Sequence, residues 1–182
     1  MFQKRTQKLA LASLFAALIF AATWVAFPTP LGGNVNLGDC IILLAAWFPL
    51  EPWSILAAAV GASFTDLAAG YAIYAPATFV IKALMACVAV LVKRGMPKLS
   101  TVWRALISGV AAELLMVAGY FLYEGILYGF GAALVNVPFN LVQGGIAITV
   151  AIVLSLVLRR MPLPEVLRSK QTSLDKGFTK KQ

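Results

Sequence analysis

The chain has 182 residues, of which 61% are apolar and only 12% are charged. Soluble domains carry about a quarter charged residues, and a chain of this length cannot bury so much apolar surface in a single core. The composition therefore excludes an ordinary soluble domain and predicts one integral membrane domain. The formal net charge is +8 and there is no histidine, which excludes histidine-based catalysis, histidine-ligated haem and the usual zinc sites.

Six apolar segments follow one another along the chain, separated by turn-forming or charged residues. Because a spanning helix needs about 20 mostly apolar residues, we expect an all-α membrane protein with six transmembrane helices. The expected helices are 9–27, 37–49, 53–69, 77–92, 102–123 and 136–158. The basic residues before the first helix resemble those of a signal peptide, but the apolar run is too long for a segment that is cleaved.

Two of the connections are rich in turn-forming residues. The segment 28–36 contains two prolines and two glycines, which is typical of a loop. The segment 124–136 is rich in glycine and aromatic residues. We therefore expect a second loop there, with Glu124 as a solvated acid.

The distribution of positive charge predicts the topology, because Lys and Arg collect at the cytoplasmic ends of spanning helices. Fourteen of the 15 basic residues, all except Lys82, lie before the first helix, in the connection 93–104 or after residue 158. Six helices place these three segments on one side, so both termini are expected in the cytoplasm. Residues 1–8 then form a cytoplasmic N-terminus, 9–160 the transmembrane domain and 161–182 a basic, flexible tail. Binding of nucleic acid is not expected, since topology accounts for the charge.

Lys82 lies inside the fourth predicted helix, and a charge at that position costs at least a few kcal/mol. Such a residue indicates a functional site by default, or else a structural ion pair with Asp66 or Glu113. Asp39, near the start of the second helix, is a third acid within an apolar segment. The sequence alone does not decide between these alternatives.

Polar side chains gather in the external half of the predicted bundle. At about 1.5 Å per residue, Lys82 and Thr78 lie in the outer part of their helix, as do Asp66 and Tyr120 in theirs. Asn136, Asn140 and Gln143 share one face of the sixth helix, because their spacing is i, i+4, i+7. This asymmetry favours a binding pocket open to one side over a channel. The alternatives are hydrogen bonds between helices and, for the tyrosines, an interfacial aromatic belt.

The first helix is unusually rich in small side chains. Ala12 and Ala16, and Ala17 and Ala21, form small-xxx-small pairs, which let two helix backbones approach closely in lipid. Such a stripe fits packing inside the bundle as well as it fits docking on another membrane protein.

These features together resemble a known family. The small-sided first helix and the Gly/Pro loop are followed by four short motifs: Asn36-Leu-Gly-Asp39, Gly61-Ala-Ser-Phe-Thr-Asp66, Gly70-Tyr71 and Tyr74-Ala-Pro-Ala-Thr78, the last of which runs into Lys82. In this order, these features resemble the S components of energy-coupling factor (ECF) transporters. The resemblance covers about residues 5 to 160. It implies a six-helix bundle that captures a vitamin, a vitamin precursor or a metal ion, without catalysis or a cofactor of its own.

The resemblance also implies partners and site residues. S components work in the cell membrane with a transmembrane T component and two ATPases, and an A-x-x-x-A stripe on the first helix contacts the T component. Ala12 and Ala16 match this stripe best, with Ala17 and Ala21 as second choice. The expected substrate-binding residues are Asn36, Asp39, Asp66, Tyr74, Thr78, Lys82, Tyr120, Asn136, Asn140 and Gln143.

The ligand is expected to be a small, polar organic compound, because the nickel and cobalt members use a histidine-containing site that this chain lacks. Hydroxymethylpyrimidine, thiamine and pyridoxine are the expected candidates. Pairing of Lys82 with a carboxylate would instead favour pantothenate or a similar acid. The main alternative function is a self-sufficient, proton-coupled secondary transporter that uses Asp66, Lys82 or Glu113. A membrane enzyme is least favoured, because no nucleophile–base pair is visible.

Overall fold

In the computed structural model, residues 2–29 and 34–162 are described. They form six helices and two short strands: α1 (Phe2–Trp24), β1 (Ala26–Pro28), β2 (Asn34–Asn36), α2 (Gly38–Trp47), α3 (Trp53–Ala68), α4 (Ala75–Gly95), α5 (Thr101–Tyr128) and α6 (Phe130–Arg159). Six helices over these residues is the number that the sequence predicts. Most of the tail expected at 161–182 lies outside the described residues.

The helices differ in their ability to cross a bilayer. Four are long and apolar enough to do so: most of α1, together with α4, α5 and α6. Helix α2 has 10 residues and α3 has 16, and at about 1.5 Å per residue a 10-residue helix is only about half as long as the hydrocarbon core is thick. Of the six transmembrane helices expected, four are long enough in the described residues to span a bilayer.

The short helix α2 lies in the middle of the bundle. It contacts α1, α3, α4 and α6, and every residue from Gly38 to Trp47 except Ile41 is buried. Its sequence is apolar all round, as expected for a helix surrounded by protein. The longer helices thus surround a central segment that carries Asp39 at its beginning.

Helices α1 and α3 pack against each other at very short range. A Cβ atom on Gly61 would lie 2.6 Å from the carbonyl oxygen of Ala16, a distance that no side chain tolerates. Glycine at this position lets the two backbones approach, as small residues do in membrane bundles. Ala12 is buried in the same region.

The connection predicted as a loop at 28–36 is partly a β-hairpin. Strands β1 and β2 pair antiparallel, with Ala26 opposite Asn36 and Phe27 opposite Val35. The prolines and glycines indicated a turn, but they did not reveal that its flanks pair. Residues 30–33, between the strands, lie outside the described residues. We refer to this end of the bundle as the hairpin end.

The loop predicted at 124–136 does not form. Helix α5 continues to Tyr128, and α6 begins at Phe130, with only Gly129 between them. Gly129 has φ of +88°, a left-handed conformation that glycine adopts at little cost. Gly125 leaves space for the ring of Phe130, since a Cβ there would lie 2.4 Å from that ring. The glycines serve a tight helix–helix turn.

The opposite end of the bundle carries basic side chains that bind backbone carbonyls; we call it the basic end. Lys93 Nζ donates to the carbonyl of Trp47 at 2.5 Å. Arg104 donates through Nε and a terminal nitrogen to the carbonyl of Lys93, at 3.1 and 2.9 Å. These bonds tie α2, α4 and α5 together where the free carbonyls at the ends of α2 and α4 need donors.

Candidate functional site

A cavity opens at the hairpin end of the bundle. Its walls come from the hairpin, α3, the start of α4, α5 and α6. The described residues that line it are all polar: Thr29, Asn34, Asn36, Asp66, Tyr71, Tyr74, Thr78, Tyr120, Glu124, Asn136, Asn140 and Gln143. A buried hollow lined by hydroxyls, amides and carboxyls within an apolar bundle is unusual, because unpaired polar groups are costly there.

The structure brings most of the sequence-predicted site residues to this cavity. Of the ten, only Asp39 and Lys82 do not line it. Both are buried, with relative exposures of 0% and 3%. They lie behind the wall that Gln143, Thr78 and Tyr120 form.

Asp39 and Lys82 form a buried ion pair. Lys82 Nζ lies 2.6 Å from Asp39 Oδ1. The other carboxylate oxygen accepts a hydrogen bond from Gln143 Nε2 at 2.5 Å. The sequence analysis considered Asp66 or Glu113 as the structural partner of Lys82. In the structure the partner is Asp39, because α2 lies in the centre of the bundle and presents its first turn to α4.

Gln143 links this pair to the hairpin. Its Oε1 atom accepts a hydrogen bond from the backbone N–H of Asn36 at 2.8 Å. The side chain of Asn36 in turn accepts from the N–H of Gly38 at 3.0 Å, at the start of α2. Strand β2, α2, α4 and α6 are thus joined through one continuous set of hydrogen bonds.

Thr78 and Tyr120 lie on the cavity side of Lys82. Their hydroxyl oxygens are 3.0 Å apart and share a hydrogen bond. The ammonium of Lys82 lies over the ring of Tyr120, 5.3 Å from its centroid, within the range of a cation–π interaction. Lys82 thus has its partners within the protein and does not contribute a free cation to the cavity.

The rim of the cavity near the α5–α6 turn is formed by Glu124 and Asn136. Asn136 Nδ2 donates to Glu124 Oε1 at 3.0 Å, and both residues are only 2% exposed. The prediction that Glu124 is a solvated loop acid is wrong, because α5 extends one more turn and carries it into the protein.

Several polar atoms of the cavity wall have no hydrogen-bond partner within the described part of the chain. Among the described residues they include Asp66 Oδ2, Glu124 Oε2 and Asn136 Oδ1. The hydroxyls of Thr29 and Tyr74 also lack a hydrogen-bond partner among these residues. Since buried polar groups are nearly always hydrogen-bonded, this wall is suited to a ligand that supplies the missing partners.

Sequence reasoning did not assign Thr29, Asn34, Tyr71 and Glu124 to the site. Asn34 was hidden in a segment interpreted only as a loop, although Asn34 and Asn36 both reach the cavity from the second strand. Glu124 could have been found by extending the helical face of Val117 and Tyr120 by one turn, since i, i+3, i+4 and i+7 share a face.

Glu113 lies elsewhere. It borders an apolar groove between α5 and α6 that also touches Val117, Asn140 and Gly144. Its carboxyl is buried and neither oxygen has a hydrogen-bond partner among the described residues. A Cβ on Gly144 would lie 3.0–3.2 Å from Glu113, so glycine at 144 gives this side chain its space.

The alanines of α1 divide into two groups. Ala12 and Ala16 border a groove between α1 and α3, together with Trp53 and Val60. Ala17 and Ala21 are exposed on another side of the helix. The two predicted stripes therefore lie on different surfaces.

Comparison with known proteins places these features in a family. The model of the ECF-type riboflavin transporter S component matches residues 3–160. A solved structure described as the S component of a bacterial ECF transporter superimposes with a TM-score of 0.66 at 22% sequence identity, covering 88% of this chain and 98% of that chain. A search of curated protein sequences finds no significant match. From the family match over nearly the whole chain, with the same fold in the solved structure, the chain belongs to the S components of ECF-type riboflavin transporters, which are substrate-binding membrane subunits and not enzymes.

Proposed function

We propose that this chain captures riboflavin, or a closely related flavin, in the cavity at the hairpin end and delivers it inward as part of an ECF importer. The observation that carries the proposal is the polar cavity itself, with its unpartnered hydrogen-bonding atoms, in a chain that matches the riboflavin-type family. Ligand binding would give these groups hydrogen-bond partners.

The chemistry of riboflavin suits these walls. Its flat, aromatic ring system can pack on tyrosine rings, and Tyr71, Tyr74 and Tyr120 all line the cavity. Its ring imide and ribityl hydroxyls are hydrogen-bond donors, and Asp66, Glu124 and Asn136 offer free acceptor atoms. A few well-placed polar groups around an aromatic surface are what orient a small ligand.

This proposal replaces the ligands expected from the sequence. Hydroxymethylpyrimidine, thiamine and pyridoxine are not the vitamin for which the matching family is named. Pantothenate was favoured only if Lys82 could pair with a ligand carboxylate. That support is lost, because Lys82 already pairs with Asp39 at 2.6 Å.

We infer the orientation from charge. The basic end carries Lys93, Arg94 and Arg104, whereas no Lys or Arg lies in the connections at the hairpin end. Under the positive-inside rule the hairpin end faces outward, and both termini lie in the cytoplasm of a cell whose plasma membrane holds the chain. The cavity then opens to the outside.

Binding by the purified chain tests the proposal directly. We expect riboflavin to bind in detergent without ATP, with quenching of flavin fluorescence as the readout. Thiamine, pyridoxine and pantothenate at the same concentration serve as competitors and should not displace it. Absence of riboflavin binding by protein that melts cooperatively would refute the proposal.

We further propose that the groove between α1 and α3 receives a helix of the T component, which works with two ATPases. Ala12 and Ala16 form part of its floor and Leu56 and Trp53 its wall. Small residues beneath an open groove allow a partner helix to approach closely.

Substitutions at two neighbouring alanines distinguish the two possible docking surfaces. Ala16→Trp fills the groove, so it should abolish ATP-driven uptake by the reconstituted transporter while the isolated chain still binds riboflavin. Ala17→Trp places the same side chain on the exposed face and should leave uptake intact. If Ala17→Trp abolished uptake and Ala16→Trp did not, docking would be assigned to the stripe of Ala17 and Ala21. If neither variant reduced uptake, both docking surfaces would be refuted.

A further inference from the structure

The cavity wall carries acidic side chains without basic ones among the described lining residues. Its wall includes the carboxyl groups of Asp66 and Glu124, and the described lining residues include no Lys or Arg. A ligand in this space meets carboxyl groups and neutral dipoles.

The one lysine close by is not available to a ligand. Lys82 Nζ is bound by Asp39, and its side chain is only 4% exposed. Thr78 and Tyr120 are hydrogen-bonded to each other on the cavity side. The start of α4, next to Tyr74, offers a helix N-terminus, but its partial charge of about half a unit is smaller than that of one ionised acid.

We propose that Asp66 and Glu124 make this site selective by charge, so that it binds the neutral flavin and rejects its phosphorylated, anionic form. The inference rests on the proposed function and concerns the part of the ligand that approaches these two acids. Neither residue is assigned a role by the family match.

Two physical effects act in the same direction. An anion that enters the cavity loses hydration, and no cation on the wall replaces it. It also meets acceptor atoms, since Asp66 Oδ2 and Glu124 Oε2 have no partner among residues 2–29 and 34–162, and a phosphate ester offers them few donors. A hydroxyl at the same place donates a hydrogen bond to a carboxylate, which is the stronger class of such bonds.

The decisive comparison uses the unaltered protein and three flavins: riboflavin, riboflavin 5′-phosphate and the neutral dimethyl ester of that phosphate. The two phosphate compounds are similar in size and differ in charge. We expect riboflavin 5′-phosphate to bind about 100-fold more weakly than riboflavin, the order given by like charges a few ångströms apart at an effective dielectric constant of about 20. The neutral ester should recover most of the difference.

Variants then assign the effect to the two acids. Asp66→Asn and Glu124→Gln keep the size and the hydrogen-bonding oxygen while removing the charge. Each should narrow the ratio of the two dissociation constants, riboflavin 5′-phosphate against riboflavin, and the double variant should narrow it most. Glu113→Gln removes an acid outside the cavity and is the matched control, for which the ratio should not change.

The outcomes are distinct. Equal binding of riboflavin and its phosphate, or equal rejection of the phosphate and its neutral ester, would overturn the inference and leave the proposed function in place. A ratio unchanged in both acid variants would also overturn it. Failure of folded, unaltered protein to bind riboflavin would overturn the proposed function, and the inference with it.

Discussion

The bundle holds two groups of buried polar side chains that differ in how far their hydrogen bonds are satisfied. In the inner group, Asp39 binds Lys82 with one oxygen and Gln143 with the other. In the outer group, Asp66 and Glu124 each retain a buried oxygen without a partner. The inner group is complete without a ligand, whereas the outer group is not.

This difference assigns the two groups to different tasks. A satisfied network in a low-dielectric interior holds helices in one arrangement, and the inner group joins α2, α4 and α6. A wall whose polar atoms lack partners among the described residues gives binding energy to a ligand that completes it. The inner group is therefore expected to serve the fold and the outer group the ligand, which single substitutions can test.

The largest effect is expected from breaking the ion pair. Lys82→Met leaves the carboxylate of Asp39 buried without its cation, and loss of one partner of a buried pair costs about 3–5 kcal/mol. We expect a large drop in the thermal unfolding temperature in detergent, with riboflavin binding lost only because the protein unfolds.

The double variant, Lys82→Met together with Asp39→Asn, is the control. It removes both charges, while the amide oxygen introduced by the second substitution can still accept a hydrogen bond from Gln143. Most of the stability should therefore return, as it does when buried pairs are replaced together. If Lys82→Met melted like the unaltered protein, the inner group would not have the structural role assigned to it.

A smaller, mixed effect is expected at Gln143, which belongs to both groups. Gln143→Leu leaves Asp39 Oδ2 and the N–H of Asn36 without their partners, a loss of about 1–3 kcal/mol for each group left unsatisfied. Both the unfolding temperature and the riboflavin affinity should fall. An effect on only one of the two would place Gln143 in one group alone.

Asn140 lines the cavity and has no part in the inner group. Asn140→Ala should lower riboflavin affinity by about tenfold, corresponding to about 1.4 kcal/mol, without a change in the unfolding temperature. Titration of flavin fluorescence and a melting curve on the same sample check this. A stability loss as large as that of Gln143→Leu would show that Asn140 also serves the fold.

The sequence predicted the helices well because apolar length and charge placement depend on local composition. It failed where contacts between distant segments decide the structure. The composition around Gly125 and Gly129 favours a loop. In the structure both glycines serve a tight helix–helix turn, Gly129 through its positive φ and Gly125 by leaving space for the ring of Phe130. Strand pairing of 26–28 with 34–36 likewise leaves no periodic signal in three-residue segments.

Part of the lining of the candidate site follows from the sequence in the same way. The position of each residue along its helix predicts that Asn136, Asn140 and Thr78 lie at the same end of the bundle. This prediction uses only the rise of about 1.5 Å per residue and needs no information on tertiary contacts. Depth does not tell which helix lies in the centre, however. The partner of Lys82 was therefore missed: Asp39 is available only because α2 is surrounded by the other helices.

The smallest effect is expected at Glu113, the acid that belongs to neither group. Its carboxyl is buried and unpartnered beside an apolar groove, where an ionised group would cost several kcal/mol. Glu113→Gln keeps the shape without an ionisable group, so stability should stay equal or rise slightly, and riboflavin binding and ATP-driven uptake should be unchanged. A proton-coupled transporter that used Glu113 as its relay would behave differently. Uptake by the chain alone in liposomes would follow a pH gradient, and the glutamine variant would abolish it.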